Sequence, residues 1–133
     1  MNDSMRINPI GVIRSPLKDP NDAPMQGSEA GIEGKLVVDE RYRDAFLGLQ
    51  AGQKVMILYW MHLAERDRLQ VHPRGDRSRP LRGVFSTRSQ HRPNPIAMAV
   101  VEILDIEGAT LAVRGLDAID GTPLLDIKSD LKR

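Results

Sequence analysis

The alternation of apolar and polar positions predicts a series of short β-strands joined by turns. Residues 31–38 and 110–116 alternate with the period of two that is expected of a strand with one buried face. Residues 55–63 and 95–106 are nearly continuous apolar runs, and we expect the first of them to be buried on both faces. The turn at Glu107-Gly108 makes a hairpin of its two flanking strands. Further strands are predicted at residues 6–14, where Pro9 favours a sheet edge or the start of a strand, at 83–87, and after the turn at Asp120-Gly121.

One segment, residues 39–49, changes to the period of a helix. Six or seven strands and one short helix predict a mostly β protein, either a barrel or a sandwich. The regular strand–helix alternation of a Rossmann domain is missing, and so are the glycine-rich motifs of standard nucleotide-binding loops. Asp39 is the expected N-cap of this helix. Its apolar face is formed by Tyr42, Ala45, Phe46 and Leu49.

Length and composition fit a single domain over residues 1–133, without an internal repeat. Cysteine is absent, which excludes disulfide and thiol chemistry. No signal peptide is visible, and no apolar run approaches the roughly 18 residues of a membrane span. We therefore expect a soluble, cytoplasmic protein that does not bind a membrane. We also expect no metal site, because His62, His72 and His91 do not have the spacing of metal ligands.

Positive charge is concentrated in one segment. Residues 60–92 contain eight arginines and three acidic residues, a net charge of +5, whereas the whole chain carries +1. Arginine binds phosphate or carboxylate groups with two parallel hydrogen bonds and stacks on nucleobases, so the segment is a candidate nucleic-acid surface. The alternative is a solvated polar loop. The arginines that we predict to bind nucleic acid are Arg74, Arg77, Arg79, Arg82 and Arg92.

A cluster of polar side chains lies between two predicted strands, in residues 86–94. Arg88 directly follows the first strand, a rigid position from which a side chain can be aimed. Pro93 and Pro95 keep the end of the segment extended, as expected of a loop that presents groups to a ligand. A surface turn that hydrogen-bonds to its own backbone is the alternative. Asp117 and Asp120, around a later turn, offer acceptors for ribose hydroxyls or an amino group, or serve only the turn.

Two of these segments resemble the TsaA/TrmO family. Its members usually read G-V-F-A-T-R-S-x-x-R-P-N-P-I-G and then D-x-x-D-G-T-P-V-L-D-I-K. This chain has GVFSTRSQHRPNPIA at 83–97 and DAIDGTPLLDIK at 117–128. The opening IGVIRSP, residues 10–16, also resembles the family, so the likeness covers nearly the whole chain. The departures are Ala97, where the family has glycine, and Ser129-Asp130, where it continues with P-Y.

The resemblance implies a small β-barrel, not a Rossmann fold, that acts as an S-adenosyl-L-methionine-dependent methyltransferase. It implies a homodimer and N6-methylation of threonylcarbamoyladenosine beside the tRNA anticodon. The alternatives are an RNA-binding module without catalysis and a methyltransferase for a small metabolite. No catalytic base is assigned. By matching motifs, the cofactor-binding residues would be Gln26, Gly27, Ser28, Glu29, His62, Leu63, Arg88, Val100, Leu116, Asp117, Ala118, Ile119 and Asp120.

Overall fold

The structure is a computed structural model that describes residues 4–19 and 31–130. Six of the strands in this part of the chain form a closed barrel, and two short ones form a separate hairpin. The strands are β1 Gly11–Arg14, β2 Glu33–Val38, β3 Lys54–Trp60, β4 Gln70–Val71, β5 Arg82–Gly83, β6 Ile96–Glu107, β7 Thr110–Arg114 and β8 Thr122–Ser129.

The barrel runs in the order β1-β2-β7-β6-β3-β8, and each strand pairs antiparallel with its neighbours. Closure gives every strand two hydrogen-bonded neighbours, so no edge is left open to pair with another chain. The predicted mostly β barrel is confirmed, and closure decides between the barrel and the sandwich. The predicted hairpin is also present, as β6 and β7 on either side of Gly108.

The core lies inside the barrel and is formed by every second residue of the strands, those that face inward. In β3, Val55, Ile57 and Tyr59 are buried, while the alternate residues are only partly covered. The prediction that this strand is buried on both faces is therefore wrong. Its long apolar run has a different cause, since its outward-facing residues form part of an apolar patch on the outside of the barrel.

Two further predictions need correction. The helix predicted at 39–49 is a 3₁₀ helix, Glu40–Phe46, with no fully buried residue; Asp39 caps it by accepting from the Arg41 N–H at 3.0 Å. The strand predicted at 83–87 is short, because after β5 the chain turns into a 3₁₀ turn, Val84–Ser86. A third 3₁₀ turn spans Pro73–Gly75. Across the described ranges, no helix is long and apolar enough to cross a membrane.

Between β3 and β6 the chain leaves the barrel and forms a segment over one of its ends, here called the excursion (residues 61–95). Its two ends are joined by Arg66, whose Nε donates to the Pro93 carbonyl at 2.7 Å and whose Nη2 donates to Asn94 Oδ1 at 3.1 Å. The Arg66 guanidinium also lies over the Trp60 ring, 5.2 Å from the ring centre. These contacts fix the polar residues of the excursion relative to the barrel.

Gly34 allows β1, β2 and the residues after β7 to approach closely. A Cβ atom there would lie 2.3 Å from the Arg14 carbonyl oxygen and 2.5 Å from Leu116 Cδ1. We expect Gly34→Ala to lower the free energy of unfolding by about 1–3 kcal/mol, the usual cost of overpacking a core. Urea denaturation measures it. Gly83→Ala is the control, because its Cβ would meet nothing within 4 Å; equal effects in the two variants would contradict the argument.

Candidate functional site

A cleft of about 910 Å³ lies where the excursion meets the end of the barrel. Its size is within the roughly 300–1,000 Å³ of small-molecule sites. Three stretches line it: the end of β3 with the residues that follow, several parts of the excursion, and the connection from β7 to β8. The cleft therefore combines residues from distant parts of the sequence, each held by a strand end or by the clamped excursion.

A buried tyrosine and a partly buried aspartate form a hydrogen-bonded pair on the barrel side of the cleft. Tyr59, only 4% exposed, donates its O–H to Asp117 Oδ1. Burial, and then the nearby carboxylate, raises the pKa of Tyr59 far above its ordinary value, so the phenol keeps its proton and remains the donor. Burial also raises the pKa of Asp117, although the Tyr59 hydrogen bond opposes this shift. The cleft thus contains a partly desolvated carboxyl group that a bound cation would stabilise in its charged form.

The part of the cleft that the excursion forms is strongly basic. The arginines that line it are Arg68, Arg74, Arg77, Arg79, Arg82 and Arg88, and all six are exposed. Arg68 and Arg79 form ion pairs, with Glu65 and Asp76 respectively. Within residues 4–19 and 31–130, the other four guanidinium groups form no hydrogen bond or ion pair. They are therefore available for an anionic ligand.

The structure brings six of the predicted cofactor residues to the cleft and places the others elsewhere. Val100 lies on the outer face of β6, and Leu116 is fully buried in the core. Asp120 accepts from the Ser15 N–H at 3.1 Å and pairs with Lys18 at 3.1 Å, contacts that hold its pKa below the ordinary value. Gln26, Gly27, Ser28 and Glu29 lie outside the described residues. The six that line the cleft are His62, Leu63, Arg88, Asp117, Ala118 and Ile119.

Four of the five arginines predicted to bind nucleic acid also line the cleft: Arg74, Arg77, Arg79 and Arg82. Arg92 does not. Its guanidinium donates instead to the carbonyl oxygens of Val84 at 2.8 Å, Ser89 at 3.1 Å and Thr87 at 3.2 Å. In the structure, the Arg92 guanidinium therefore stabilises the polar turn through these hydrogen bonds and does not line the cleft.

Tyr59 is the cleft residue that the sequence analysis missed. It lies in the apolar run of β3, where the pattern predicts a core residue, and it is only 4% exposed. The signal was present, since tyrosine carries a hydroxyl that needs a partner when buried. The partner, Asp117, is 58 positions away and could not be identified from spacing.

Among the described residues, no three histidine, cysteine or acidic side chains lie close enough together to hold a metal ion. The single acidic residue among those lining the cleft is Asp117. The chemistry of these lining residues is thus that of an anion-binding rim around one carboxyl group.

A family model described as the tRNA-methyltransferase O N-terminal domain matches residues 12–133. The chain belongs to this family. The resemblance to TsaA/TrmO is confirmed, and the closed barrel is the fold of the family's solved structures. One crystal structure of TrmO from Pseudomonas aeruginosa superposes with a TM-score of 0.78 at 34% identity, covering 96% of this chain and 56% of that one. A second TrmO crystal structure gives 0.79 at 33% identity, covering 98% and 57%. The chain thus spans just over half the length of these TrmO structures.

Curated relatives of this TrmO-family chain are named for a ligand. A probable S-adenosyl-L-methionine-binding protein of Methanothermobacter thermautotrophicus is 50% identical over 124 residues, which cover 93% of this chain and 88% of the relative. An S-adenosyl-L-methionine-binding protein of Archaeoglobus fulgidus is 46% identical with the same coverage. Both are similar along almost their whole length, including the stretches that form the cleft.

The two aspartates near the cleft are expected to affect stability with opposite dependence on pH. Asp117 has a raised folded-state pKa, so its contribution to stability is present at low pH and is lost as the pH rises through that pKa. Asp117→Asn should therefore stabilise the protein more at pH 8 than at pH 4. Asp120 has a lowered pKa, so Asp120→Asn should remove stability that is present at pH 8. Urea denaturation at the two pH values measures both; a common sign would contradict the assignment.

Proposed function

We propose that this protein is an S-adenosyl-L-methionine-dependent methyltransferase that modifies tRNA, and that its product is the N6-methylated threonylcarbamoyladenosine beside the anticodon. The observation that carries the proposal is the cleft, in which the partly buried carboxyl group of Asp117 and a rim of exposed arginines line the same cavity on a barrel of the TrmO family. Such an enzyme would work in the cytoplasm, where tRNA is modified.

The residues of the cleft fit the cofactor. S-adenosyl-L-methionine has a carboxylate, an ammonium, a sulfonium and an adenosine, so its site needs charges of both signs beside apolar surface. Arg88 has no partner among the described residues and suits the carboxylate. The Asp117 carboxylate, oriented by the Tyr59 hydroxyl, suits the ammonium or the ribose hydroxyls. Leu63 and Ala118 supply apolar contacts. When bound, the cofactor supplies an electrophilic methyl group.

The remaining cleft residues favour catalysis by positioning. Tyr59 keeps its proton and fixes Asp117, which prevents the carboxyl group from turning away from the cleft. The clamped excursion holds Arg88 on the other wall. Because a methyl transfer requires the acceptor to approach in line with the bond that breaks, fixed walls of this kind contribute much of the rate.

The exposed arginines favour tRNA over a small metabolite as acceptor. A small molecule has few negative charges, and one or two arginines would neutralise them. Besides Arg88, the cleft has three arginines without a partner among the described residues, Arg74, Arg77 and Arg82, and the phosphates of an RNA can use all three. An RNA-binding module without catalysis is the alternative, but it would leave the Tyr59–Asp117 pair inside the cleft without a purpose.

We also propose that the protein forms a homodimer through the outside of the barrel. Ile96, Met98 and Val100 are 41%, 41% and 36% exposed on β6. Their cross-strand neighbours on β3 are Trp60, Leu58 and Met56, so the six form one apolar patch. A two-fold interface would bury this patch against its copy. Light scattering of wild type and Met98→Lys tests it: a dimer converted to a monomer supports the proposal, and a wild-type monomer contradicts it.

Calorimetric titration with S-adenosyl-L-methionine, followed by transfer of a labelled methyl group to tRNA, tests the proposed function. We expect saturable binding near one equivalent per chain and transfer to tRNA bearing threonylcarbamoyladenosine, with none to tRNA lacking that group. Binding without transfer to any tRNA would point to a different acceptor. No binding up to millimolar cofactor, together with RNA binding, would favour the non-catalytic alternative.

A further inference from the structure

Phe85 is an exposed aromatic ring at the edge of the cleft. Its side chain is 83% exposed, although the chain has only two phenylalanines and the other, Phe46, packs against the core. Phe85 itself does not line the cleft, but Arg82 and Ser86, on either side of it along the chain, do. The backbone of Phe85 is therefore continuous with the lining of the cleft.

The ring is held on a rigid base. Phe85 occupies the middle of the 3₁₀ turn Val84–Ser86, and Val84 before it is buried at 2% exposure. The Arg92 guanidinium donates to three carbonyl oxygens of residues 84–89, and Ser86 Oγ donates to the Gly83 carbonyl at 2.8 Å. Exposure of the ring is therefore built into the turn. Because the turn is already fixed, contact between a partner and the ring costs the protein little conformational entropy.

The chain segment around Phe85 carries only positive charge. From residue 77 to residue 101 the sequence contains no aspartate or glutamate. Arg82 and Arg88 lie three residues before and after Phe85, and their guanidinium groups form no hydrogen bond or ion pair with the described residues. An exposed aromatic ring between unpaired arginines is the combination by which proteins bind unpaired nucleotides, since the ring stacks on a base and the arginines bind the phosphates.

We propose that Phe85 is a stacking platform for an unpaired nucleobase of the RNA substrate, next to the nucleotide that enters the cleft. The proposal rests on the proposed function and deepens it, because it assigns a residue that recognises a flanking nucleotide in a single-stranded loop. Arg82 binds the adjoining phosphate. Double-stranded RNA does not offer such a base, because its bases are stacked within the helix.

A second copy of this chain is a less suitable occupant of the same surface. An interface with two-fold symmetry would bring the ring against its own copy, and with it the flanking arginines of both chains. No acidic side chain in residues 77–101 would offset their repulsion. A polyanion meets the same arginines with opposite charge.

Fluorescence anisotropy with a labelled hairpin RNA that has an unpaired loop, and with a blunt duplex of the same phosphate number, tests the proposal. Phe85→Ala should weaken hairpin binding about 5- to 150-fold, the effect of losing one base–aromatic stack. Phe85→Trp should retain it. Duplex binding and the salt dependence should change little, because the arginines remain. The control is Leu81→Ala, which removes a 55%-exposed apolar side chain from the same basic segment.

Each other outcome has a distinct meaning. If the wild type binds the hairpin and Phe85→Ala binds it equally well, the stacking role is wrong and the proposed function stands. If the wild type binds neither the hairpin nor tRNA, the proposed function itself fails. If Phe85→Ala converts a dimer to a monomer in light scattering, the ring belongs to an interface between copies. Unchanged calorimetric binding of S-adenosyl-L-methionine by Phe85→Ala shows that the variant is folded.

Discussion

Replacing Arg74, Arg77 and Arg82 together with glutamine is expected to lower the affinity for tRNA by about 100-fold near physiological salt. Each lost phosphate contact reduces the slope of log affinity against log salt by about 0.7–0.9, and the affinity falls accordingly. The fold should be unaffected, because these guanidinium groups make no hydrogen bond or ion pair with the described residues. Anisotropy titrations of labelled tRNA at several salt concentrations measure both the affinity and the slope.

The matched control is a triple variant with the same change in net charge away from the cleft. Lys35, Arg41 and Arg43 are exposed and do not line it. Replacing these three with glutamine should change tRNA binding by a few-fold at most. If the two triple variants lost affinity equally, the tRNA would be responding to overall charge, and the rim of the cleft would not be its binding site.

Arg88→Ala is expected to have the second large effect, a loss of cofactor affinity. The guanidinium is exposed, lines the cleft and has no partner among the described residues, so a bound carboxylate would form a charge-assisted hydrogen bond with it. Losing such a bond costs about 1.5–3 kcal/mol, which corresponds to roughly a 10- to 150-fold rise in the dissociation constant. Isothermal titration with S-adenosyl-L-methionine measures it directly.

Arg82→Ala is the control for this second experiment, because it removes an arginine from the same rim. It should weaken tRNA binding and leave the dissociation constant of the cofactor near the wild-type value. Arg88→Lys should restore part of the cofactor affinity, since the charge returns without the planar fork. Wild-type cofactor affinity in Arg88→Ala would show that the carboxylate binds elsewhere.

The errors of the sequence analysis lie where hydrogen bonds and packing, which the pattern of apolar and polar residues does not record, decide local structure. The strand predicted at 83–87 is mostly a turn because Thr87 donates its backbone N–H to the Val84 carbonyl, and because Arg92 binds three carbonyls of the same turn. The apolar run at 55–63 was assigned to a strand buried on both faces. Its length reflects an inward-facing core row and an outward-facing apolar row, which the run of letters does not distinguish.

The stretch from Asp117 to Asp120 shows the same limit within four residues. Both aspartates were predicted to bind the cofactor, and the sequence gives no reason to separate them. In the fold, Asp117 meets Tyr59 from β3 inside the cleft, whereas Asp120 meets Lys18 and the backbone of Ser15 beyond β1. Which way each carboxylate faces depends on strands that are more than 50 positions away, so spacing alone could not decide it.

The sequence by itself determined the mostly β class, the strands with alternating positions, the basic segment and the family, because these depend on local periodicity, composition and motif letters. Only the tertiary structure decided that the sheet closes into a barrel, that Tyr59 pairs with Asp117, and that Arg92 supports a turn while Arg88 faces a cleft. Barrel closure and the cleft both depend on which strands become neighbours. That choice is made by contacts between residues far apart in the chain, which no local pattern records.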